Sequence, residues 1–230
     1  MKRNPKKLLT WLLLCSLLLG NLSFLPAQAK EKEDKAVHLD ASEYGVDPTG
    51  EKDSTEAVQK ALAAAKKEEE KGQKVVLEFP RGEYQIYKDK AEVRNYHTSN
   101  TNSLEHPQKT IGILIEEHKN LTIDGNGSLF MMHGNMMALA VVKSENIKLK
   151  NFSWDFEVPT VSEMTITNMG SENGSDYTDF YIPDCFPYII EGNSIKWTSE
   201  KSPYTDQYYW TETNIHRSLS LIHISEPTRR

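Results

Sequence analysis

Apolar and polar residues alternate in two stretches of the chain that superpose at a spacing of 26 residues. Residues 113–128 (ILIEEHKNLTIDGNGS) lie over residues 139–154 (LAVVKSENIKLKNFSW). The matched apolar pairs are Ile113/Leu139, Ile115/Val141, Leu121/Ile147 and Ile123/Leu149. A period in the twenties predicts stacked coils whose strands pair in parallel, with Asn120 and Asn146 one above the other at a turn. Two unrelated hairpins are the alternative.

One helix is predicted before this repeat. Asp53 or Ser54 provides a cap, and residues 55–71 are rich in strong helix formers. The apolar positions on one face of this helix are Ala57, Val58, Ala61, Leu62 and Ala65. Short strands are predicted at residues 75–79 and 84–87, where β-branched and aromatic residues are frequent.

The pattern changes after Pro159. Residues 160–217 are rich in Tyr, Trp, Thr, Ser and Asn. Short β-like runs lie at residues 164–167, 188–190 and 194–197. We therefore predict a cap and the first coils over residues 38–158, and over residues 159–217 an incomplete, barrel-like antiparallel segment that is inserted into the coils or appended to them.

The first 29 residues have the three parts of a secretory signal peptide. Four basic residues precede an apolar run over residues 8–25, and small residues stand before a cleavage site after Ala29. We expect export from a bacterial cytoplasm to the periplasm, the cell surface or the medium, with residues 30–37 as a flexible leader. An uncleaved membrane anchor is the alternative.

Composition narrows the possible partners. The formal net charge is −6, and cleavage after residue 29 would remove four positive charges and lower it to −10. Such a protein is poorly suited to nucleic acid or an anionic membrane surface, whereas uncharged sugars are compatible with it. Cys185 is the only cysteine after the signal region, and no CxxC or HExxH pattern occurs. We expect neither a disulfide, a metal nor a cofactor.

The residues around the predicted helix resemble a known fold. YGVDPTGEKDSTEAVQKAL (44–62) and VVLEFPRGEYQI (75–86) resemble the beginning of right-handed parallel β-helix proteins of the pectin-lyase type. The resemblance implies an all-β fold with an N-terminal capping helix. Lyases, glycosidases, epimerases and phage tailspikes share that fold, so the fold alone implies no single function.

Residues 96–163 carry a narrower resemblance. LTIDGNGSLFMMHG (121–134) and NFSWDFEVPTVSE (151–163) resemble glycoside hydrolase family 110, the exo-acting α-1,3-galactosidases. The resemblance implies hydrolysis of a terminal α-1,3-linked galactose, as on blood-group-B-type glycans, with inversion and without a metal. The implied partners are galactose-terminated oligosaccharides or glycoconjugates.

An inverting glycosidase uses two carboxyl groups roughly 6.5–9.5 Å apart. The resemblance implies that both of these catalytic groups lie in later coils, and no position here matches them, so no catalytic residue is assigned in this chain. Four residues are candidates for substrate binding: His133, Asp155, Glu157 and Glu163. A buried structural histidine and solvated carboxylates are the alternatives to these roles.

Residues 218–230 (SLSLIHISEPTRR) do not continue the preceding pattern. Residues 219–229 resemble the translation of a sequencing-library adapter. The sequence therefore predicts the front part of a longer protein followed by a non-native tail, and we expect the 230 residues alone to be inactive. A polygalacturonase-like hydrolase, a pectate lyase and a non-catalytic glycan-binding β-solenoid remain alternatives to the galactosidase.

Overall fold

The structure, a computed structural model, describes residues 36–97, 106–192 and 194–214. The strands are β1 (Val37–Asp40), β2 (Thr49–Asp53), β3 (Val75–Glu78), β4 (Glu83–Tyr87), β5 (Glu92–Asn95), β6 (Gln108–Glu116), β7 (Leu121–His133), β8 (Met137–Val142), β9 (Lys148–Phe156), β10 (Thr165–Glu172), β11 (Ser175–Tyr181), β12 (Tyr188–Glu191), β13 (Ser194–Thr198) and β14 (Thr211–Asn214). One α-helix, α1, spans Thr55–Glu69. The predicted signal peptide with its cleavage site at Ala29, most of the leader and the predicted tail lie outside the described residues.

Parallel pairing dominates the first part of the chain. Strand β7 is central: its first half pairs with β3, its second half pairs with β4, and β9 runs along its other side. Strands β1 and β2 extend this curled sheet beyond β3 and β4. A second sheet pairs β6 with β8 in parallel and carries β5 as an antiparallel neighbour. The predominance of strands in the described chain fits the predicted all-β class.

The repeat predicted from the sequence appears as strand register. Ile113 pairs with Leu139 between β6 and β8, and Ile123 pairs with Leu149 between β7 and β9. Both pairs have the predicted spacing of 26 residues. The side chain of Asn146 donates a hydrogen bond to Asn120 Oδ1 at 2.6 Å. Both asparagines have left-handed backbone angles, with φ of 55° and 58°, so the predicted stacking at a turn is confirmed.

Helix α1 covers one part of the parallel core. Its predicted apolar face is the buried one, formed by Ala57, Val58, Ala61, Leu62 and Ala65. The Asp53 carboxylate accepts hydrogen bonds from the backbone N–H and the hydroxyl of Thr55, at 2.8 and 2.5 Å. The Ser54 hydroxyl instead accepts from the backbone N–H of Asp47, so Asp53 stabilises the start of the helix.

The last turn of α1 is held by a buried pair. Glu69 contacts His118 Nδ1 at 2.9 Å, and each side chain is 4% exposed. The same carboxylate accepts a hydrogen bond from the backbone N–H of Lys119 at 2.8 Å. These contacts fix the helix to the turn between β6 and β7.

The core of the parallel part contains an aromatic cluster. Phe79, Tyr84 and Phe130 lie with ring centroids 5.1–5.5 Å apart, and Phe152 packs against Phe130. Burial raises the pKa of Tyr84 to about 12. Trp154 pairs in register with the buried Phe130 but is 51% exposed, because β7 is the only described strand that pairs with β9.

The strands after residue 164 pair in the antiparallel sense. Strands β10 and β11 form a hairpin, and β12, β13 and β14 form a three-stranded sheet. A small separate core consists of Ile182, Ile195 and Trp197 with partly buried neighbours. The antiparallel pairing agrees with the sequence pattern, and the domain boundary proposed near residue 159 stays a prediction.

Candidate functional site

The outward face of β4, β7 and β9 presents polar and aromatic side chains. They alternate with buried residues such as Ile86 and Met132, because successive side chains of a strand point to opposite faces. Tyr87 pairs with His133 in the register of β4 and β7. Glu157 follows β9 next to them, and its backbone N–H bonds Met132 O at 3.0 Å. The predicted residues His133 and Glu157 are thus brought to one end of the sheet.

His133 is held tightly in this face. Its side chain stacks on Tyr87 with ring centroids 4.1 Å apart and an interplanar angle of 7°. Its Nε2 lies 2.6 Å from Gln85 Oε1, while Gln85 Nε2 donates to Glu83 Oε1 at 2.8 Å. This orientation of the Gln85 amide makes His133 Nε2 the donor. Burial lowers the pKa of His133, so its neutral form is favoured.

Residues 199–210 pack over the end of this face. Glu200 Oε1 accepts a hydrogen bond from the backbone N–H of Gly134 at 2.7 Å and lies 3.7 Å from His133 Nδ1. Gly134 has φ of +89°, and a Cβ at this position would lie 2.8 Å from the ring of Tyr209. Only glycine fits both the backbone angle and the close approach of the segment.

Hydroxyl groups of the same segment bind carboxylates on the parallel part. Tyr204 donates to Asp53 Oδ2 at 2.5 Å, and Ser202 donates to Asp89 Oδ1 at 2.8 Å. Tyr209 donates to the other oxygen of Asp89. Burial is the main cause of the raised pKa of both tyrosines, and their hydrogen bonds to these carboxylates are the second. Both tyrosines therefore remain protonated donors.

Glu200 has an unusual environment for a carboxyl group. Its side chain is 18% exposed, and its Oε2 is buried without a hydrogen-bond partner among the described residues. Burial raises the pKa of Glu200, and the negative charge of Glu157 adds to that rise. The site therefore places the exposed carboxylate of Glu157 near the buried carboxyl group of Glu200. Glu200 takes up a proton more readily than an ordinary glutamate does.

The other two predicted site residues lie apart from this hydrogen-bonded cluster. Asp155 is exposed and pairs with Met131 in register, with Oδ1 accepting from the backbone N–H of Phe156 at 2.8 Å. Glu163 is exposed in the connection between β9 and β10. The binding roles given to His133, Asp155, Glu157 and Glu163 stay predictions.

Asp124, which the sequence places next to two glycines, has a structural role. Its carboxylate accepts from the Asn151 side chain at 2.9 Å and the Asn126 backbone N–H at 3.1 Å, and it lies 2.7 Å from Lys150 Nζ. Lys150, then Asn151 and Asn126, lower its pKa to about 2. It remains an ionised carboxylate that holds the bend in β7 against β9.

Sequence reasoning missed the residues that reach the site from a distance, above all Glu200, Tyr204 and Tyr209. They lie in a tyrosine-rich stretch, but no spacing in that stretch singles them out. Among the described residues, no group of three or more His, Cys, Asp or Glu side chains is arranged to hold a metal ion. In the same residues, no helix has the length and apolar character needed to cross a membrane.

Known proteins resemble this chain over most of its length. An α-1,3-galactosidase A of Streptomyces avermitilis is 37% identical over 81% of the chain and 29% of its own length. An α-1,3-galactosidase B of Bacteroides fragilis is 38% identical over 72% of the chain and 27% of its length. One of Phocaeicola vulgatus is 41% identical over 58% of the chain and 22% of its length. No protein-family model matches the chain.

These relatives confirm the resemblance to α-1,3-galactosidases that the motifs indicated. The chain spans less than a third of the length of the curated relatives it matches.

Proposed function

We propose that the protein to which this chain contributes is an exported bacterial glycoside hydrolase that removes terminal α-1,3-linked galactose from glycans, with inversion and without a metal. The observation that carries the proposal is the 37% identity to an α-1,3-galactosidase over 81% of the chain.

We further propose that the coils of the chain wind as a right-handed parallel β-helix. Support comes from the parallel register of 26 residues and from the exposed apolar side chains of Leu149 and Trp154 on β9, which suit a stack that continues.

The described chain would contribute one wall of the substrate cleft. Glu157 and Asp155 are exposed carboxylates on the outward face and suit hydrogen bonds to sugar hydroxyls. His133 is too buried to contact a sugar broadly, so its proposed contribution is to hold Tyr87 and the turn at Gly134 in place. Other parts of the protein would supply the catalytic acid and base. The 230 residues by themselves would then be inactive.

Galactose release by the full-length gene product tests the proposal. The substrates are α-1,3-linked and α-1,4-linked digalactosides at equal concentration. The 230-residue chain alone is assayed beside the full-length protein. We expect release from the α-1,3-linked substrate by the full-length protein only. A well-folded full-length protein that releases galactose from neither substrate would refute the proposal, and turnover by the 230 residues would refute the placement of the catalytic groups.

A further inference from the structure

A cleft of about 360 Å³ lies beside the candidate site. Its lining, here called the lysine cleft, includes Lys88, Gln108, Lys109, Asn135, Met136 and Met137. It forms where the end of β4, the start of β6 and the turn after β7 meet. The volume is within the range of about 300–1,000 Å³ that is usual for small-molecule sites.

The charge of the lysine cleft is opposite to that of the protein as a whole. Among the described residues, two lysines line it and no acidic residue does, although the chain has a formal net charge of −6. In the described part of the chain, neither Lys88 nor Lys109 has a carboxylate within ion-pair distance. The acidic residue next to Lys88 in the sequence, Asp89, has both oxygens engaged by Ser202 and Tyr209.

A second groove differs from the lysine cleft in that its cations are paired with carboxylates. That groove, of about 210 Å³, lies between α1 and β6 and is lined by Lys66 and Arg94 among others. There, Arg94 pairs with Glu92 at 2.7 Å and with Glu116 at 3.0 Å. Lys66 lies 3.6 Å from a carboxylate oxygen of Glu117. Its cations are paired with carboxylates, whereas those of the lysine cleft have no ion-pair partner in ranges 36–97, 106–192 and 194–214.

The individual groups of the lysine cleft suit a sugar that carries an anion. Lys88 Nζ donates one hydrogen bond to Asn135 Oδ1, and an ammonium group has three donors, so two remain. Burial lowers the pKa of Lys88 because its ammonium group has lost part of its water shell, and a bound anion would replace that loss. Met136 and Met137 add apolar surface against which the carbon face of a sugar ring can pack.

The lysine cleft adjoins the candidate site at Gly134, where an added Cβ would lie 3.1 Å from the Cβ of Lys88. Asn135 directly follows Gly134, whose backbone N–H binds Glu200. We propose that the lysine cleft binds an acidic sugar residue, one that carries a sulfate or carboxylate group, within the same glycan whose terminal galactose is removed. Only the placement of the acidic sugar within that glycan rests on the proposed function, since binding of an acidic sugar can be measured without turnover.

The test measures binding of galactose 6-sulfate and galacturonic acid to the full-length protein by calorimetry, with galactose as the neutral probe. A charge-assisted contact with lysine predicts affinities at least about tenfold higher for the acidic probes. The double variant Lys88→Gln/Lys109→Gln should lose this preference, and Lys88→Arg/Lys109→Arg should keep most of it. Lys60→Gln, on the exposed face of α1, is the matched control and should bind as the unmodified protein does.

Salt provides a measurement that requires no variant. Raising sodium chloride should weaken binding of the acidic probes and leave galactose binding unchanged, because screening acts only on the charged contact. Equal affinity for acidic and neutral probes, or an unchanged preference in a folded glutamine double variant, would overturn the proposal. Release of galactose from the neutral α-1,3-linked digalactoside, assayed in parallel, separates the two proposals. Turnover without a preference for acidic probes would refute only the proposal for the lysine cleft. A preference for acidic probes without turnover would refute only the proposed galactosidase activity.

Discussion

The parallel coils and the antiparallel segment are stabilised in different ways. In the coils, buried residues from β3, β4, β6 and β7 form one continuous core, covered by α1. Among the described residues of the antiparallel segment, three apolar ones are buried, while Ile166, Met169 and Ile190 are each at least half exposed. The segment compensates by binding to the coils through Glu200, Tyr204 and Tyr209 rather than through a large core of its own. The candidate site lies at that contact.

Removal of a core aromatic side chain should give the largest difference in stability between the coils and the antiparallel segment. Phe130→Ala removes a ring that contacts Phe79, Tyr84 and Phe152, and we expect a loss of about 3–5 kcal/mol in the free energy of unfolding. Trp197→Ala, in the smaller core, should reduce amide protection in β12–β14 and leave β3 and β7 protected. Hydrogen exchange measures both, and an equal loss of protection in both regions after Trp197→Ala would contradict the comparison.

The contact between the two regions should depend on Gly134. Gly134→Ala must adopt a left-handed backbone angle and displace Tyr209, so we expect a cost of about 1–3 kcal/mol and faster proteolysis within residues 199–210. Gly174→Ala is the matched control, because Gly174 also has a left-handed φ of +76° but an added Cβ would contact nothing within 4 Å. Similar costs for the two variants would show that the contact with Tyr209 does not constrain the site.

The asparagine stack tests the register of the coils alone. Asn146→Ala loses the hydrogen bond to Asn120 and places alanine in a left-handed conformation, for an expected cost of about 1–2 kcal/mol. Asn146→Gly loses the hydrogen bond but accepts the backbone angle, so its cost should be smaller. Urea denaturation measures both, and no loss in either variant would show that the stack contributes nothing to the coils.

The smallest expected effect is a pH dependence at the contact between the two regions. Burial raises the pKa of Glu200 above 4.5, so the folded chain binds this proton more tightly and its stability falls as pH rises through the raised value. Burial lowers the pKa of His133 below 6.5, so stability falls as pH drops from 6.5 through the lowered value. Glu200→Gln should abolish the first dependence and His133→Gln the second.

Urea denaturation between pH 4 and pH 8 would reveal both slopes. A variant profile parallel to that of the unmodified chain throughout this range would contradict the assignment of that slope to the residue replaced.

The sequence predicted the features that depend on local spacing. The buried face of α1 and the register of Ile113 with Leu139 both follow from apolar residues that recur at a fixed interval. Strand β7 was harder to predict, because it continues through the glycines at 125 and 127 as a single bent strand of 13 residues. The hydrogen bonds of Asp124 hold this bend, and glycine spacing alone suggests only a turn.

The candidate site could be predicted only in part. His133 and Glu157 were each singled out from the sequence, but the repeat of residues 113–128 over 139–154 includes neither of them and did not predict that they lie together. Glu200 is 66 residues from Gly134 along the chain, and the bond between them depends on how the antiparallel segment packs on the coils. Tertiary packing sets that contact, and no periodic signal records it.

The central proposal is that the outward face of β4, β7 and β9, with residues 199–210 packed over its end, forms one wall of the substrate cleft. Hydrogen exchange of the full-length protein, with and without a saturating α-1,3-linked digalactoside, tests it most directly. We predict added protection at residues 131–135, 155–157 and 199–209, with little change in α1. Protection confined to other parts of the protein, with all three of these segments unchanged, would contradict the claim.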